Sequence, residues 1–144
     1  MPKASSQYKE SLVGWLLAMQ DWEYFLTATF AKEEVTYSGA QKRFWKWLTQ
    51  CQRSMPRLRA FAAIEHGIEL WHLHILVAPE LNDLQRHTLE RAWSRHYGHM
   101  DVERIRPGTV HRVVSYAVKD VRSASDLLLP RSLVSPSHKH NSGT

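Results

Sequence analysis

The segment Trp-His-Leu-His-Ile-Leu-Val at residues 71–77 restricts the fold of this 144-residue chain more than any other. Its large and β-branched apolar residues favour a buried β-strand, in which successive side chains alternate between two faces. His72 and His74 therefore point together to one face, about 7 Å apart along the strand. Imidazoles at this spacing can converge on one divalent cation. The segment predicts either a metal site or a solvated strand face that carries two histidines.

A further ligand is needed, because two side chains rarely hold a metal ion. Residues 59–66 form a second predicted strand, and residues 67–69 a tight connection to the first. Alternate residues of this second strand are small and apolar, as expected of a face that packs in the core: Ala60, Ala62 and Ile64. Glu65 then emerges beside the histidine pair and is the preferred third ligand, with His66 as the alternative. Two imidazoles and a carboxylate favour Mn²⁺ or Mg²⁺, and zinc is the alternative.

A third cluster surrounds Tyr116, in a predicted helix over residues 109–122. Apolar residues recur there at the spacing of one helix face: Val110, Val113, Val114, Ala117, Val118 and Val121. Tyr116 lies on the opposite, polar side together with Arg112 and Lys119, and Arg122 flanks that side. A tyrosine that only fills the core would lie on the valine stripe. This position favours a hydroxyl that meets an anion, although an ordinary surface tyrosine is the competing interpretation.

The order of predicted elements is β-α-β-β-α-β, with an extra helix at each end. Strands are predicted at 24–30, 59–66, 71–77 and 99–106, and helices at 8–20, 39–50 and 83–97. This order predicts an α+β, ferredoxin-like (RRM-like) antiparallel sheet, with helices on one face and the Tyr116 helix on the other. Trp15 is expected on a buried helix face. His96 is expected either on the inward side of its helix or at the helix end on the surface. The predicted domain covers residues 1–122, and residues 123–144 form a tail expected to be partly disordered.

The net charge of +5 and the sequence pI of about 9.6 suit a polyanionic partner. The residues expected to contact it are Lys42, Arg43, Lys46, Arg59, Arg112 and Arg122, with Phe61 as an aromatic on the open sheet face. Cys51 is the only cysteine in the sequence, so no internal disulfide can form, which fits the cytoplasm. The sequence contains neither a membrane span nor a GxxxxGK[ST] loop, so an ATP-driven helicase is not built in.

Three motifs, in this order, resemble the HUH endonucleases, and most closely the single-tyrosine initiators of rolling-circle replication. The strand Phe-Leu-Thr-Ala-Thr-Phe at 25–30 is similar to the family's opening motif. His72-Leu73-His74 matches the His-hydrophobe-His signature, and Tyr116 with Lys119 matches the YxxK motif. The resemblance covers about residues 22–122.

The resemblance implies a metal-dependent nuclease that nicks single-stranded DNA or an origin hairpin through a 5′-phosphotyrosine on Tyr116, and then rejoins it. Glu65, His72 and His74 would hold the metal, and Lys119 would assist the tyrosine. The expected protein is a monomer that serves a plasmid or virus in the cytoplasm, where supercoiling or a separate helicase opens the duplex. A dimeric insertion-sequence-type transposase is the first alternative, and a non-catalytic RRM-like single-strand binder is the second. Tyr8 is the second choice of nucleophile.

Overall fold

The computed structural model of the chain describes residues 5–31, 35–66 and 71–128. Its helices are α1 (Ser6–Met19), α2 (Tyr37–Ser54), α3 (Asp83–Ser94) and α4 (Val110–Ala117). Its strands are β1 (Tyr24–Thr29), β2 (Arg59–Glu65), β3 (His72–Ala78), β4 (Met100–Arg104) and β5 (Leu127–Leu128). Every predicted element is present with shifted ends, whereas the predicted connection at 67–69 lies outside the described residues. No helix among these ranges is long and apolar enough to cross a lipid bilayer.

Side-chain caps explain where three of the helices begin. The Ser5 hydroxyl accepts a hydrogen bond from the Tyr8 amide at α1, and the Thr36 hydroxyl accepts one from the Gly39 amide at α2. Asn82 begins α3 with a reciprocal capping box, in which Asn82 and the residue three positions later bond each other's backbone amides. Each cap satisfies amides that a helix start leaves without intrahelical partners.

The sheet has the strand order β4-β1-β3-β2-β5, and all of its pairs are antiparallel. Its first four strands follow the predicted ferredoxin-like order, with β1 and β3 in the centre and β2 beside β3. β5 extends the sheet beyond β2, which departs from a strict RRM-like layout. Residues 127–128, which follow the predicted domain end at residue 122, pair with Ala62 and Ala63.

α2 and α3 cover one face of the sheet and form the main core. One side of α2 carries an apolar stripe that is buried there: Phe44, Trp47, Leu48 and Cys51. The indole nitrogens of Trp47 and Trp93 donate to the Leu89 and Thr29 carbonyls, so neither buried donor is left unpaired. Of the two placements expected for His96, the inward one is wrong, because α3 ends at Ser94 and His96 lies exposed in the turn that follows.

α1 and α4 pack against the other face of the sheet, as predicted for the Tyr116 helix. Their buried residues Leu12, Leu16 and Val114 meet Leu76 and Phe61 of the sheet. The prediction that Trp15 is buried is wrong, since this side chain is 45% exposed and only its ring edge approaches Phe61. The two helices leave uncovered the part of this face where β1, β2 and β3 carry polar side chains.

α4 is shorter than predicted and ends at Ala117. The backbone then forms two turns, each closed by a hydrogen bond between residues three positions apart. The Lys119 amide donates to the Tyr116 carbonyl, and the Val121 amide donates to the Val118 carbonyl. The valine stripe is nevertheless buried as predicted, since Val114, Val118 and Val121 all lie in the same cluster. Lys119 consequently lies in the turn after the helix and not on its surface.

Candidate active site

The strand register brings the predicted metal ligands together. Glu65 of β2 lies directly opposite His72 of β3, and His74 lies opposite Thr27 of β1. Directly paired residues of a sheet share a face. Glu65 and both histidines therefore occupy the face that α1 and α4 leave partly open.

The Glu65 carboxylate lies between the two imidazoles. Its Oε1 atom is 3.1 Å from His74 Nε2 and 3.5 Å from His72 Nδ1. The His74 side chain is only 4% exposed, whereas that of His72 is 39% exposed. Burial lowers the pKa of His74, although Glu65 and a hydrogen bond with the Ala117 backbone oppose this shift. His74 is thus a neutral, oriented imidazole at neutral pH, the form that ligates metals.

The chemistry of these donors suits a divalent cation. In residues 5–31, 35–66 and 71–128, however, no three or more His, Cys, Asp or Glu side chains are already arranged to hold a metal ion. Ligand atoms at about 2.1 Å from one ion, with angles of about 90–110°, lie about 3.0–3.4 Å from each other. Glu65 Oε1 stands near this spacing from both imidazole nitrogens. The three residues can supply a partial ligand set, and the remaining positions would take water or phosphate oxygens.

His66, the alternative ligand, points away from this site. Its Nε2 atom is 2.8 Å from Oδ1 of the fully buried Asp126. The second oxygen of Asp126 accepts the backbone N–H of Arg122 at 2.8 Å. This arrangement ties the segment after α4 to the end of β2, and it leaves Glu65 as the residue that faces the histidine pair.

Tyr116 lies beside the histidine pair. Its ring stacks on that of His74, with centroids 5.3 Å apart and planes 22° apart, and meets the edge of Phe25 at 5.8 Å. Half of the side chain is exposed. The two rings fix the position of the phenol while solvent or a ligand can still reach it, as required of a nucleophile.

Lys119 links the tyrosine to the carboxylate. Its Nζ atom is 2.7 Å from Glu65 Oε2, 2.9 Å from Asp120 Oδ2 and 4.9 Å from the centre of the Tyr116 ring. Hydrogen bonds to Glu65 and then to Asp120 raise the pKa of Lys119 above its ordinary range. The ammonium group is therefore permanently charged and serves as a cation in this site, not as a base.

Glu65, His72, His74 and Tyr116 line an open cleft of about 580 Å³. No site role was predicted for four other residues in or beside it, although two of them belong to the 25–30 motif: Phe25, Thr27, Glu103 and Asp120. Phe25 and Thr27 alternate along β1, and Glu103 lies opposite Phe25 in the register. Given the predicted strand order, the alternation of residues in β1 could have placed Phe25 and Thr27 on the same sheet face as the histidine pair.

The predicted DNA-contacting residues divide between different parts of the molecule. Arg112 lines the cleft, whereas Lys42, Arg43 and Lys46 lie on α2, which covers the opposite face of the sheet. Arg59 begins β2, at the far end of that strand from Glu65. Arg122 follows α4 and is half-buried.

Phe61 corrects one expectation. It lies on the predicted face of the sheet, but α1 covers it and leaves it 1% exposed. It therefore cannot stack on a nucleic-acid base, because that face is not open at Phe61. Phe25 is the aromatic residue of this face that reaches the cleft.

Comparisons with known proteins support the fold alone. No family model matches the chain, and no protein with a curated description matches it. The chain is similar in structure to the hypothetical protein ORF119 from Sulfolobus islandicus rod-shaped virus 1, with a TM-score of 0.53 and 19% sequence identity. The match covers 77% of this chain and 91% of the viral protein. At this identity, the likeness establishes that the two proteins share an α+β fold.

Proposed function

We propose that this protein is a metal-dependent endonuclease and strand transferase that acts on single-stranded DNA, with Tyr116 as its nucleophile. Its biological task would be the initiation of rolling-circle replication of a plasmid or virus. One observation carries the proposal: the half-exposed Tyr116 ring stacks on His74, which faces the Glu65 carboxylate within the same cleft. A hydroxyl group beside a set of cation ligands can combine nucleophilic attack on a phosphodiester with Lewis-acid activation of the phosphate.

Glu65, His72 and His74 would hold Mn²⁺ or Mg²⁺. When bound, the ion supplies Lewis-acid polarisation of the scissile phosphate. His74 directs its Nε2 atom at Glu65 Oε1, and a hydrogen bond with the Ala117 backbone contributes to the environment of the ring. Ala117 directly follows the proposed nucleophile, so the same turn of chain positions both groups.

In the chemical step, the Tyr116 oxygen forms a bond to phosphorus while the bond from phosphorus to the 3′ oxygen breaks. The phenolic proton passes to water, and the leaving oxygen takes up a proton to give a free 3′-hydroxyl. The resulting 5′-phosphotyrosine conserves the energy of the broken bond. Attack by a 3′-hydroxyl therefore reverses the reaction and rejoins the strand without ATP.

Lys119 would stabilise the charge that develops on the phenol. A phenol has a pKa of about 10 in water, so it is a weak nucleophile at neutral pH. The Lys119 ammonium lies 4.9 Å from the ring centre, where it would stabilise negative charge that develops during the attack. Its raised pKa keeps it charged throughout the reaction.

Two features favour the initiator over its alternatives. α4 packs against α1 and β3 of its own chain, so Tyr116 meets His74 of the same molecule. In a dimeric transposase, the tyrosine helix would instead cross to the partner. An RRM-like binder would need exposed stacking aromatics on the sheet, whereas Phe61 is buried and ionisable residues occupy the open part.

Incubation of labelled single-stranded DNA with the protein and Mn²⁺ tests the proposal on a denaturing gel. The substrate is the origin region of the encoding replicon, or a degenerate pool. We expect an adduct that survives SDS, disappears with EDTA and is absent in Tyr116→Phe. Tyr8→Phe is the matched control and should retain the adduct. Absence of any adduct from folded, metal-loaded wild-type protein on its own origin would refute the nuclease.

A further inference from the structure

The cleft continues into a groove along the turn between β4 and α4. Phe25, Glu103 and Arg112 line both the cleft and a smaller depression of about 160 Å³. Arg104 and Arg106 line this depression too, and they also border a third one, of about 340 Å³, that reaches the end of α1. The shared residues show that the three depressions adjoin one another, and together they are here called the arginine groove after Arg104, Arg106 and Arg112.

Two of the three arginines in the groove are not neutralised by an ion pair. Arg106 and Arg112 are exposed, and within the described ranges neither forms an ion pair. Arg104 does, since its guanidinium is 2.9 Å from Glu80 and 3.9 Å from Glu23. Acidic side chains also line the path: Glu103 at the entrance from the cleft, and Asp21 and Glu23 in the third depression. Two unpaired guanidinium groups next to the proposed reaction site suit an anionic ligand.

The local backbone holds these two arginines in place. Gly108 has a φ of +82°, a conformation that side chains rarely adopt, and it allows a tight turn between Arg106 and Thr109. The Arg106 carbonyl accepts hydrogen bonds from the Thr109 amide at 3.1 Å and from its hydroxyl at 2.7 Å. Because α4 starts directly after this turn, Arg106 and Arg112 remain on the same side of the groove.

The lysines of α2 are poorly placed to bind a DNA strand that reacts at Tyr116. Lys42 and Lys46 are exposed on α2, which packs on the opposite face of the sheet from the histidine pair. A strand with its reacting phosphate at Tyr116 would have to pass around a sheet edge to reach them. The arginine groove, by contrast, opens from the cleft itself.

We infer that the arginine groove binds the backbone phosphates of single-stranded DNA next to the scissile position, with Arg112 and Arg106 as the main contacts. This inference rests on the proposed function and specifies the path of the strand. Arginine matches phosphate geometry with two parallel donors. Each neutralised phosphate also adds to the salt dependence of binding.

Fluorescence anisotropy of a labelled single strand tests the inference. All proteins carry Tyr116→Phe and are measured in EDTA, so that only binding is observed. We expect Arg106→Gln/Arg112→Gln to weaken binding about tenfold and to reduce the slope of log K against log salt by about 1.4, the value for two lost phosphate contacts. Lys42→Gln/Lys46→Gln removes the same charge from the opposite face and should change the affinity less than about twofold. Thermal unfolding verifies that both variants are folded.

Equal losses of affinity in the two double variants, or a larger loss in the α2 variant, would contradict the proposed role of the arginine groove in binding DNA. If Tyr116-dependent adducts form and the arginine variant binds normally, only this inference fails. If the protein that carries only Tyr116→Phe binds no single-stranded DNA, the inference and the proposed function both fail.

Discussion

Replacement of Lys119 by methionine is expected to tighten the binding of Mn²⁺. The Lys119 ammonium is 2.7 Å from Oε2 of Glu65, the carboxylate proposed as a metal ligand. Lys119 and the metal ion therefore compete for the same negative charge. Methionine keeps the apolar part of the side chain and removes only the competing cation.

The size of the effect follows from the distance between the two cations. An ion about 2.1 Å from Glu65 Oε1 would lie about 5 Å from the Lys119 nitrogen. Repulsion between a single and a double charge at about 5 Å is about 1.7 kcal/mol in water and about 7 kcal/mol at an effective dielectric constant of 20. Lys119 is 38% exposed and can still pair with Asp120, so solvent screening favours the lower limit. We expect a gain of about 1–1.5 kcal/mol, or about five- to tenfold in affinity.

Isothermal titration calorimetry with MnCl₂ measures this directly. Glu65→Gln should weaken binding more than about tenfold, because it removes the ligand charge. Lys46→Met, which removes a lysine from the opposite sheet face, should leave the affinity within about twofold. An unchanged or weaker affinity in Lys119→Met would refute the competition between Lys119 and the metal.

Three further predictions concern the stability of the fold and the ionisation of buried side chains. Asp126→Ala should lower the free energy of unfolding by about 2–4 kcal/mol in urea, since it leaves His66 and the Arg122 amide without their partner; a loss below about 1 kcal/mol would contradict this role. Burial lowers the pKa of His74 in the folded state, so the unfolded chain binds the proton more readily, and metal-free stability should fall as the pH drops below about 6.5. His74→Gln should flatten the dependence of the unfolding free energy on pH. A slope identical to that of the wild-type protein would count against this role of His74. Burial raises the pKa of the Cys51 thiol to about 12; iodoacetamide at pH 8 should therefore modify Cys51 only after unfolding, and rapid labelling of the native protein would disagree with its burial.

Much of the site can be predicted because strand alternation is a local property. The two-residue period of β2 and β3 assigns Glu65, His72 and His74 to one face without knowledge of the rest of the fold. The ferredoxin-like strand order then places β2 beside β3, which makes Glu65 a neighbour of His72. The valine stripe likewise places Tyr116 on the polar side of its helix.

What the sequence pattern misses depends on contacts between distant segments. Phe61 lies on the predicted face but is buried, because α1 packs over it. The alternation of residues in β2 gives no information about where α1 packs. The pairing of His66 with Asp126 joins residues 60 positions apart. The ion pair of Lys119 with Glu65 depends on the end of α4 at Ala117, and helix ends are set by local turns that periodicity does not reveal.

Peptide mapping of the DNA adduct tests the central claim most directly. After reaction with Mn²⁺ and nuclease trimming of the bound strand, trypsin should release residues 113–119 as the peptide VVSYAVK. Mass spectrometry is expected to find this peptide carrying a 5′-linked nucleotide on Tyr116. A nucleotide attached to any other peptide, such as residues 4–9 with Tyr8, would contradict the assignment of the nucleophile.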